Sequence, residues 1–168
     1  PRQDSQTLSF HQRTNSKEHM INQNQTDIDL VYLWVDGNDP VWRDKRNAFI
    51  GKTNEGSPIN CKGRYADNDE LKYSLRSVEA YAPWIRKIFI VTDNQVPQWL
   101  NISHPKIRIV DHKEIMPTES LPCFNSSLIE HFLHKIPGLS EQFLFANDDM
   151  YFNKEAKKEH FFTLSGIP

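Results

Sequence analysis

Three apolar runs in this sequence each end in carboxylate and amide side chains. The runs with their polar ends are residues 30–39 (LVYLWVDGND), 88–94 (IFIVTDN) and 143–149 (FLFANDD). Short β-branched and aromatic runs of this kind are typical of buried strands. Polar residues at the carboxyl ends of successive strands indicate the ligand-binding edge of an open α/β sheet. Turns and helix caps also use Asp, Asn and Gly, but three such strand ends in one chain favour a binding site.

Apolar periodicity and capping signals predict helices between the strands. The strands are predicted at residues 28–35, 87–91, 106–110 and 142–146, and the helices at 42–50, 67–82 and 127–136. Asp67 with Glu70, and Ser127 with Glu130, have the capping-box spacing at the starts of the second and third helices. Strands that alternate with capped helices predict an α/β fold with a mainly parallel, doubly wound sheet.

The composition suits one domain and excludes several partners. The 168 residues divide into a mobile polar leader at 1–26, a core at 27–155 and the start of a further segment at 156–168. The formal net charge of −2 argues against a nucleic-acid binder. No apolar run approaches the roughly 20 residues of a membrane span. Two cysteines give no disulfide framework, so a reducing, cytoplasmic compartment is expected.

Asp148 and Asp149 are the strongest candidates for a metal site. Two adjacent carboxylates at the end of a buried strand repel each other unless a cation or a strong donor neutralises them. Hard oxygen ligands of this kind suit Mg²⁺ or Mn²⁺, and Mg²⁺ usually keeps several waters and bridges to a substrate phosphate. The pair therefore predicts a divalent cation bound together with a phosphorylated ligand.

The first strand carries a second group of candidates. A nucleotide base could stack on Trp34, and backbone amides around Gly37 could approach a ligand closely, although a buried Trp before a turn explains the same residues. Asp36 adds a carboxylate at this strand end. Asp29 lies inside the apolar run, where a carboxylate must face solvent, pair with a cation or belong to the site.

Two arginines are candidates for the phosphates. Arg76 lies four residues after Lys72 on the second helix, and an anion such as a diphosphate would relieve their repulsion, although a solvated helix face is an equally good explanation. Arg64 stands just before that helix, where its side chain and the helix N-terminus would converge on one anion. The chain has no Gly-x-Gly-x-x-Gly motif and no P-loop, which argues against the common dinucleotide and NTP-binding classes.

With these residues in view, the sequence resembles the Stealth family of sugar-phosphate transferases. That family contains bacterial capsular polysaccharide phosphotransferases and the α/β subunits of the lysosomal-enzyme N-acetylglucosamine-1-phosphotransferase. The segments that carry the resemblance are residues 29–40 (DLVYLWVDGNDP), 67–77 (DNDELKYSLRS), 82–94 (APWIRKIFIVTDN), 121–126 (LPCFNS) and 147–149 (NDD).

The resemblance implies transfer of a sugar-1-phosphate from a UDP-sugar to a hydroxyl of an acceptor glycan, in capsular or exopolysaccharide synthesis. It also implies a GT-A-like, fringe-like fold, a Mg²⁺ or Mn²⁺ ion, and peripheral association with the inner membrane through the capsule machinery, or a Golgi location in a eukaryote. Together with the residues above, it gives a candidate catalytic set of Asp29, Asp36 and Asp148 and a metal pair of Asp148 and Asp149. The candidate substrate-binding residues are Trp34, Gly37, Arg64, Asp69, Arg76, Asn94 and Asn125.

Members of the family continue into further blocks that supply a histidine and an arginine needed for catalysis. The sequence ends at Pro168, so a truncated domain with an incomplete active site is expected. Two alternatives stay open. A metal-dependent GT-A glycosyltransferase would use the same nucleotide residues but release UDP, and a non-catalytic interaction module would bind no nucleotide.

Overall fold

The computed structural model of the protein describes residues 27–51, 65–163 and 166–168. The predicted leader and the predicted phosphate ligand Arg64 lie outside these residues. The strands and α-helices in chain order are β1 (Ile28–Leu33), α1 (Pro40–Ile50), α2 (Glu70–Tyr81), β2 (Ile88–Thr92), β3 (Ile107–Asp111), α3 (His112–Ile115), α4 (Ser126–Glu130) and β4 (Gln142–Asn147). Short 3-10 helices cover Thr118–Ser120, Leu133–Lys135 and Lys158–His160.

The four strands form one parallel sheet in the order β3-β2-β1-β4. Leu30 in β1 pairs with Ile88 in β2 and with Leu144 in β4. Parallel strands need cover on both faces, because their connections place helices there. This explains why β1 and β2 are almost continuous apolar runs. The predicted α/β fold with a mainly parallel sheet is confirmed.

Alternate side chains of the strands build a core on each face of the sheet. One face packs against α2 through Leu30, Tyr32, Ile90, Leu71 and Val78. The opposite face packs against α3, α4 and the turn after α4 through Val31, Phe89, Val91, Ile115, Ile129 and Leu133. Successive side chains along a strand lie on opposite faces of the sheet, so alternate residues pack against the helices of opposite layers.

The strand order reverses direction beside β1. The chain steps from β1 to β2 to β3 across the sheet and then returns to place β4 on the other side of β1. Open α/β sheets bind ligands at such a reversal, outside the carboxyl ends of the strands. Here the reversal brings the residues after β1 next to the residues after β4.

The start of α2 differs from the predicted capping box. The helix begins at Glu70, and Asp69 precedes it with a φ of 68° and no side-chain cap. Asp67 accepts a hydrogen bond from the Asp69 amide, while Glu70 accepts from the amide of Asn68. Two short side-chain turns thus replace the reciprocal bonds expected between Asp67 and Glu70.

The third predicted helix is wrong in its length. It ends at Glu130, and a 3-10 turn follows at Leu133–Lys135. The ring Nδ1 of His131 lies 2.6 Å from the Ser127 carbonyl oxygen, which the His131 amide would need in a continuous helix. The cap is Asn125, whose side chain accepts from the Leu128 amide, so the predicted Ser127 cap is also wrong.

Candidate active site

A cleft of about 440 Å³ opens at the carboxyl edge of the sheet, where the strand order reverses. All four strands contribute to it, because its lining includes residues that end or follow each of them. Those residues are Trp34 after β1, Asp93 after β2, His112 after β3 and Asn147 to Asp149 at the end of β4. The predicted convergence of polar strand ends at one edge of the sheet therefore holds.

Carboxylates crowd one end of this cleft. Asp148, Asp149 and Glu70 line it, and Asp67 lies close enough to act on Asp148. Burial, together with the negative charges of Asp149, Glu70 and Asp67, raises the pKa of Asp148 to about 6. The like charges therefore favour a bound cation at this end, because a cation would relieve their repulsion.

Hydrogen bonds to α2 hold the loop that carries the two aspartates. The Ser74 hydroxyl donates to the Met150 carbonyl oxygen at 2.5 Å and lies 2.7 Å from the Tyr32 hydroxyl. One turn along the helix, the Ser77 hydroxyl accepts from the Phe152 amide at 3.0 Å. Burial raises the pKa of Tyr32 to about 12, so its hydroxyl stays protonated beside Ser74. Two serines on one helix face thus fix the position of the acidic loop.

Trp34 lies in the wall of the cleft, and only 5% of it is exposed. Burial raises the pKa of Asp67, and the neighbouring Trp34 indole lowers it, although the two groups do not reach normal hydrogen-bond geometry. The buried indole therefore lies beside the acidic end of the cleft. Its small exposed area leaves little ring face for the base stacking that the sequence suggested.

Gly37 serves a close contact within the chain. Its amide donates to the Tyr65 carbonyl oxygen at 2.8 Å, and a Cβ at this position would lie 2.1 Å from that oxygen. Asp36 completes the turn, since its Oδ1 accepts from the Asn38 amide at 2.8 Å. The loop after β1 thus needs glycine to hold Tyr65 against the cleft, and the Gly37 amide is already used by Tyr65 instead of a ligand.

Asp29 lies at the opposite end of the sheet from the cleft. Arg86 donates to it twice, at 2.9 and 2.5 Å, and the amides of Lys87 and Ser140 donate at 3.1 and 2.7 Å. The residue is completely buried and joins the beginnings of β1, β2 and β4. The structure places this predicted catalytic residue in a structural ion pair, one of the three alternatives open for a carboxylate within β1.

Gly37 and four other predicted binding residues lie outside the cleft lining. Asp69 pairs with Lys72 at 3.2 Å, and the exposed Arg76 guanidinium lies 5.5 Å from the ring centre of Tyr73. Asn94 is exposed with a φ of 58°, and Asn125 caps α4. Within the described part of the lining, there is no Lys or Arg. The structure therefore does not bring Arg76 to the acidic pair.

The cleft contains residues that the sequence candidates omitted. Glu70 was predicted only as a capping residue, and Asp93 was recognised only as part of a polar strand end. His112 was left out of the candidate site residues because the rule of polar strand ends was applied to three strands, whereas β3 ends directly before it. The aromatic wall of Trp42, Tyr65 and Phe124 comes from loops and helices whose packing no local pattern indicates.

The donor set suits a hard cation that shares its coordination with a ligand. Among the described residues, no group of three or more His, Cys, Asp or Glu side chains is arranged to hold a metal ion by itself. Mg²⁺ is commonly bound by one or two carboxylates together with substrate phosphates and waters. Asp148 and Asp149 fit that pattern, with Glu70 and Asp67 adding negative charge around them.

Comparisons with known proteins identify the family of this chain. Residues 26–53 match the Stealth protein conserved region 1, and residues 64–168 match conserved region 2. The chain therefore belongs to the Stealth family.

Its relatives include polysaccharide phosphotransferases from several bacteria. A capsular polysaccharide phosphotransferase of Actinobacillus suis is 41% identical over 98% of this chain and 45% of its own length. An exopolysaccharide phosphotransferase of Streptomyces coelicolor is 50% identical over 83% of this chain and 23% of its own length. A capsular polysaccharide phosphotransferase of Streptococcus pneumoniae is 44% identical over 84% of this chain and 43% of its own length. The chain spans less than half the length of these relatives.

None of the helices in the described ranges is long and apolar enough to cross a membrane.

Proposed function

We propose that the protein transfers a sugar-1-phosphate from a UDP-sugar to a hydroxyl group of a glycan acceptor, forming a phosphodiester in capsular or exopolysaccharide synthesis. The observation that carries this proposal is the position of Asp148 and Asp149, at the carboxylate-lined end of a cleft where the strand order reverses. Membership of the Stealth family, with relatives named as capsular and exopolysaccharide phosphotransferases, supports the reaction class.

In the proposed reaction, the acceptor hydroxyl oxygen forms a bond to the β-phosphorus of the UDP-sugar. The bond from that phosphorus to the oxygen shared with the α-phosphate breaks, and UMP leaves with the electron pair. The hydroxyl proton passes to a general base. Negative charge spreads over the oxygens of the transferred phosphoryl group during this step, so its stabilisation is the main requirement on the protein.

Asp148 and Asp149 are the residues that would hold Mg²⁺ or Mn²⁺ in this reaction. When bound there, the ion supplies Lewis-acid stabilisation of the charge on the diphosphate. Ser74 and Ser77 keep the two carboxylates in place through the loop after β4. The rings of Trp42, Tyr65 and Phe124 add an apolar wall to the same cleft.

The leaving group distinguishes this reaction from an ordinary glycosyl transfer, since this reaction releases UMP and a glycosyl transfer releases UDP. Incubation of the full-length protein with an acceptor glycan, Mn²⁺ and a panel of UDP-sugars should release UMP and attach phosphate to the acceptor. Release of UDP with a phosphate-free product would identify a GT-A-type glycosyltransferase instead. Absence of nucleotide binding with and without Mn²⁺ would contradict both reactions. We also propose that the protein is cytoplasmic and that this reaction takes place at the inner face of the membrane, beside the polymerising machinery.

A further inference from the structure

The end of the cleft away from the acidic pair has a polar floor in which two buried side-chain atoms lack a hydrogen-bond partner among the described residues. Asp93 is 7% exposed and His112 is 6% exposed, and both line the cleft. Oδ2 of Asp93 and Nδ1 of His112 are buried without a hydrogen-bond partner among the described residues. Because unpaired buried polar groups are costly, such a pair indicates a place where a ligand completes the hydrogen bonding.

The sheet places these two side chains next to each other. Thr92 in β2 pairs with Asp111 in β3, and Asp93 and His112 are the residues that directly follow the two strands. The Lys45 Nζ holds Oδ1 of Asp93 at 2.5 Å, which leaves Oδ2 as the unpaired acceptor. Asp111 caps the turn that begins with His112, since its Oδ1 accepts from the Lys113 amide at 2.8 Å. The ion pair with Lys45 therefore fixes Asp93, and the Asp111 cap fixes the turn that carries His112.

The chemical character of the floor is one carboxylate beside one imidazole. Burial lowers the pKa of His112, the neighbouring Asp93 and Asp111 oppose this effect, and Lys45 adds to it. A neutral imidazole offers one N–H donor and one acceptor nitrogen. The floor can therefore accept one hydrogen bond on Asp93 and donate one from His112.

Aromatic rings form the wall above this floor. The rings of Trp42 and Tyr65 lie 5.2 Å apart between centres, and those of Trp42 and Phe124 lie 5.5 Å apart. All three residues line the same cleft as Asp93 and His112. An apolar wall beside a donor and an acceptor suits a flat heterocycle that carries both hydrogen-bond types on one edge.

We propose that Asp93 and His112 form a base subsite that selects uracil. Asp93 accepts the N3–H of the ring, His112 donates to an adjacent carbonyl oxygen, and the rings of Trp42 and Phe124 cover the base. Cytosine is rejected because its N3 is an acceptor and meets the Asp93 carboxylate with a lone pair. The inference rests on the proposed function, since it specifies the nucleotide of the donor.

The experiment measures which base the full-length protein prefers. Isothermal titration with Mn²⁺ compares UMP, CMP and 3-methyluridine monophosphate, in which a methyl group replaces the N3 hydrogen. The wild-type protein should bind UMP about 10- to 100-fold more tightly than either of the others, because each leaves the buried carboxylate unpaired. Asp93→Asn should reduce the preference for UMP over CMP to within about threefold, because an amide can also donate to cytosine N3. His112→Gln should weaken UMP binding and retain the penalty of the N3 methyl group.

Two control variants separate base selection from a loss of fold. Asp44→Asn makes the same change of charge at an exposed position of α1 and should retain the full preference. Glu79→Gln makes the same change of charge on the exposed side of α2 and should also retain the full preference.

Three results would overturn the inference. Equal binding of UMP and CMP by the wild-type protein would exclude a base-selective floor, while leaving the proposed reaction intact. Tight binding of 3-methyluridine monophosphate would place the ribose, and not the base edge, on Asp93. Absence of nucleotide binding by the wild-type protein would contradict the proposed function and this inference together.

Discussion

Asp148 experiences two opposing requirements. Its half-buried carboxylate faces Asp149, Glu70 and Asp67, so the charged form is disfavoured when no cation is near. A cation that binds diphosphate needs the charged form. The raised pKa is therefore a cost to the fold that a bound cation would relieve, a pattern common for residues that act in a site instead of in the core.

Replacing Asp148 should stabilise the protein in a pH-dependent way. The pKa of Asp148 rises from 3.8 to about 6 on folding, so its contribution to stability is complete below pH 3.8 and is lost as the pH rises through 6. Asp148→Asn should therefore leave the free energy of unfolding unchanged near pH 4 and increase it by about 1–2 kcal/mol at pH 8, with the full shift discounted for partial exposure. Urea denaturation at both pH values without divalent cations measures the difference.

Asp44→Asn is the matched control for this experiment because Asp44 is exposed on α1. It should change stability by less than about 0.5 kcal/mol at either pH. A loss of stability in Asp148→Asn at pH 8 would show that the Asp148 carboxylate has a favourable partner, contrary to the crowding by like charges.

Replacing Asp29 should destabilise the protein, in contrast to the gain of stability expected for Asp148→Asn. Asp29→Ala leaves the Arg86 guanidinium and the amides of Lys87 and Ser140 without their acceptor. Breaking a buried pair of this kind costs about 3–5 kcal/mol, and we expect a loss of that size in urea denaturation. Asp27→Ala, which removes an exposed carboxylate 3.9 Å from the same arginine, should cost less than about 1 kcal/mol. Unchanged stability of Asp29→Ala with loss of UDP-sugar binding would return Asp29 to the active site.

At the scale of elements, α2 is the support of the acidic loop. Its apolar face packs on the sheet through Leu71 and Val78, while Ser74 and Ser77 bond to the chain after β4. Because Ser74 and Ser77 are three residues apart, they lie on one face of the helix. The helix is therefore fixed against the sheet and in turn fixes the loop that carries Asp148 and Asp149.

Removing one of these supports should affect binding more than folding. Ser74→Ala loses the bonds to Met150 and Tyr32, which should cost about 1–3 kcal/mol of stability. It should also weaken Mn²⁺-dependent UDP binding several-fold, because the acidic loop loses a fixed contact. Ser103→Ala, at an exposed position, should change neither quantity. Calorimetric titration of UDP measures the effect, and unchanged affinity in Ser74→Ala would show that the loop is held by other contacts.

Sequence patterns predicted the strands better than the helix ends. The four predicted strands overlap β1 to β4 closely, because buried parallel strands have long apolar runs that local pattern detects. The capping box at Asp67 and the length of the third helix were wrong, since competing side-chain bonds from Asp67, Glu70 and His131 decide those ends. A pattern of residue types does not show which of two available acceptors a donor takes.

At the scale of the molecule, the location of the site follows from strand order. The polar strand ends were evident in the sequence, but only the placement of β4 beside β1 brings Asp148 next to the loop after Trp34. Asp29 shows the limit of this reasoning. Its position in a strand was correct, yet the direction of that strand places it at the far end of the sheet. Residues such as Tyr65 and Phe124 reach the cleft through tertiary packing alone.

UDP should stabilise the whole protein only when a divalent cation is bound at the acidic end of the cleft. UDP brings more negative charge to a cleft in which Asp148 and Asp149 already repel each other, so UDP alone should bind weakly. With Mn²⁺ present, UDP at about 100 times its Kd should stabilise the full-length protein by about 2.7 kcal/mol, which raises Tm by several degrees. Asp149→Asn should abolish most of this joint effect, while Glu79→Gln on the exposed side of α2 should retain it. Differential scanning fluorimetry with UDP, Mn²⁺, both, or both with EDTA tests the coupling, and an equal shift by UDP with and without Mn²⁺ would separate nucleotide binding from the aspartate pair.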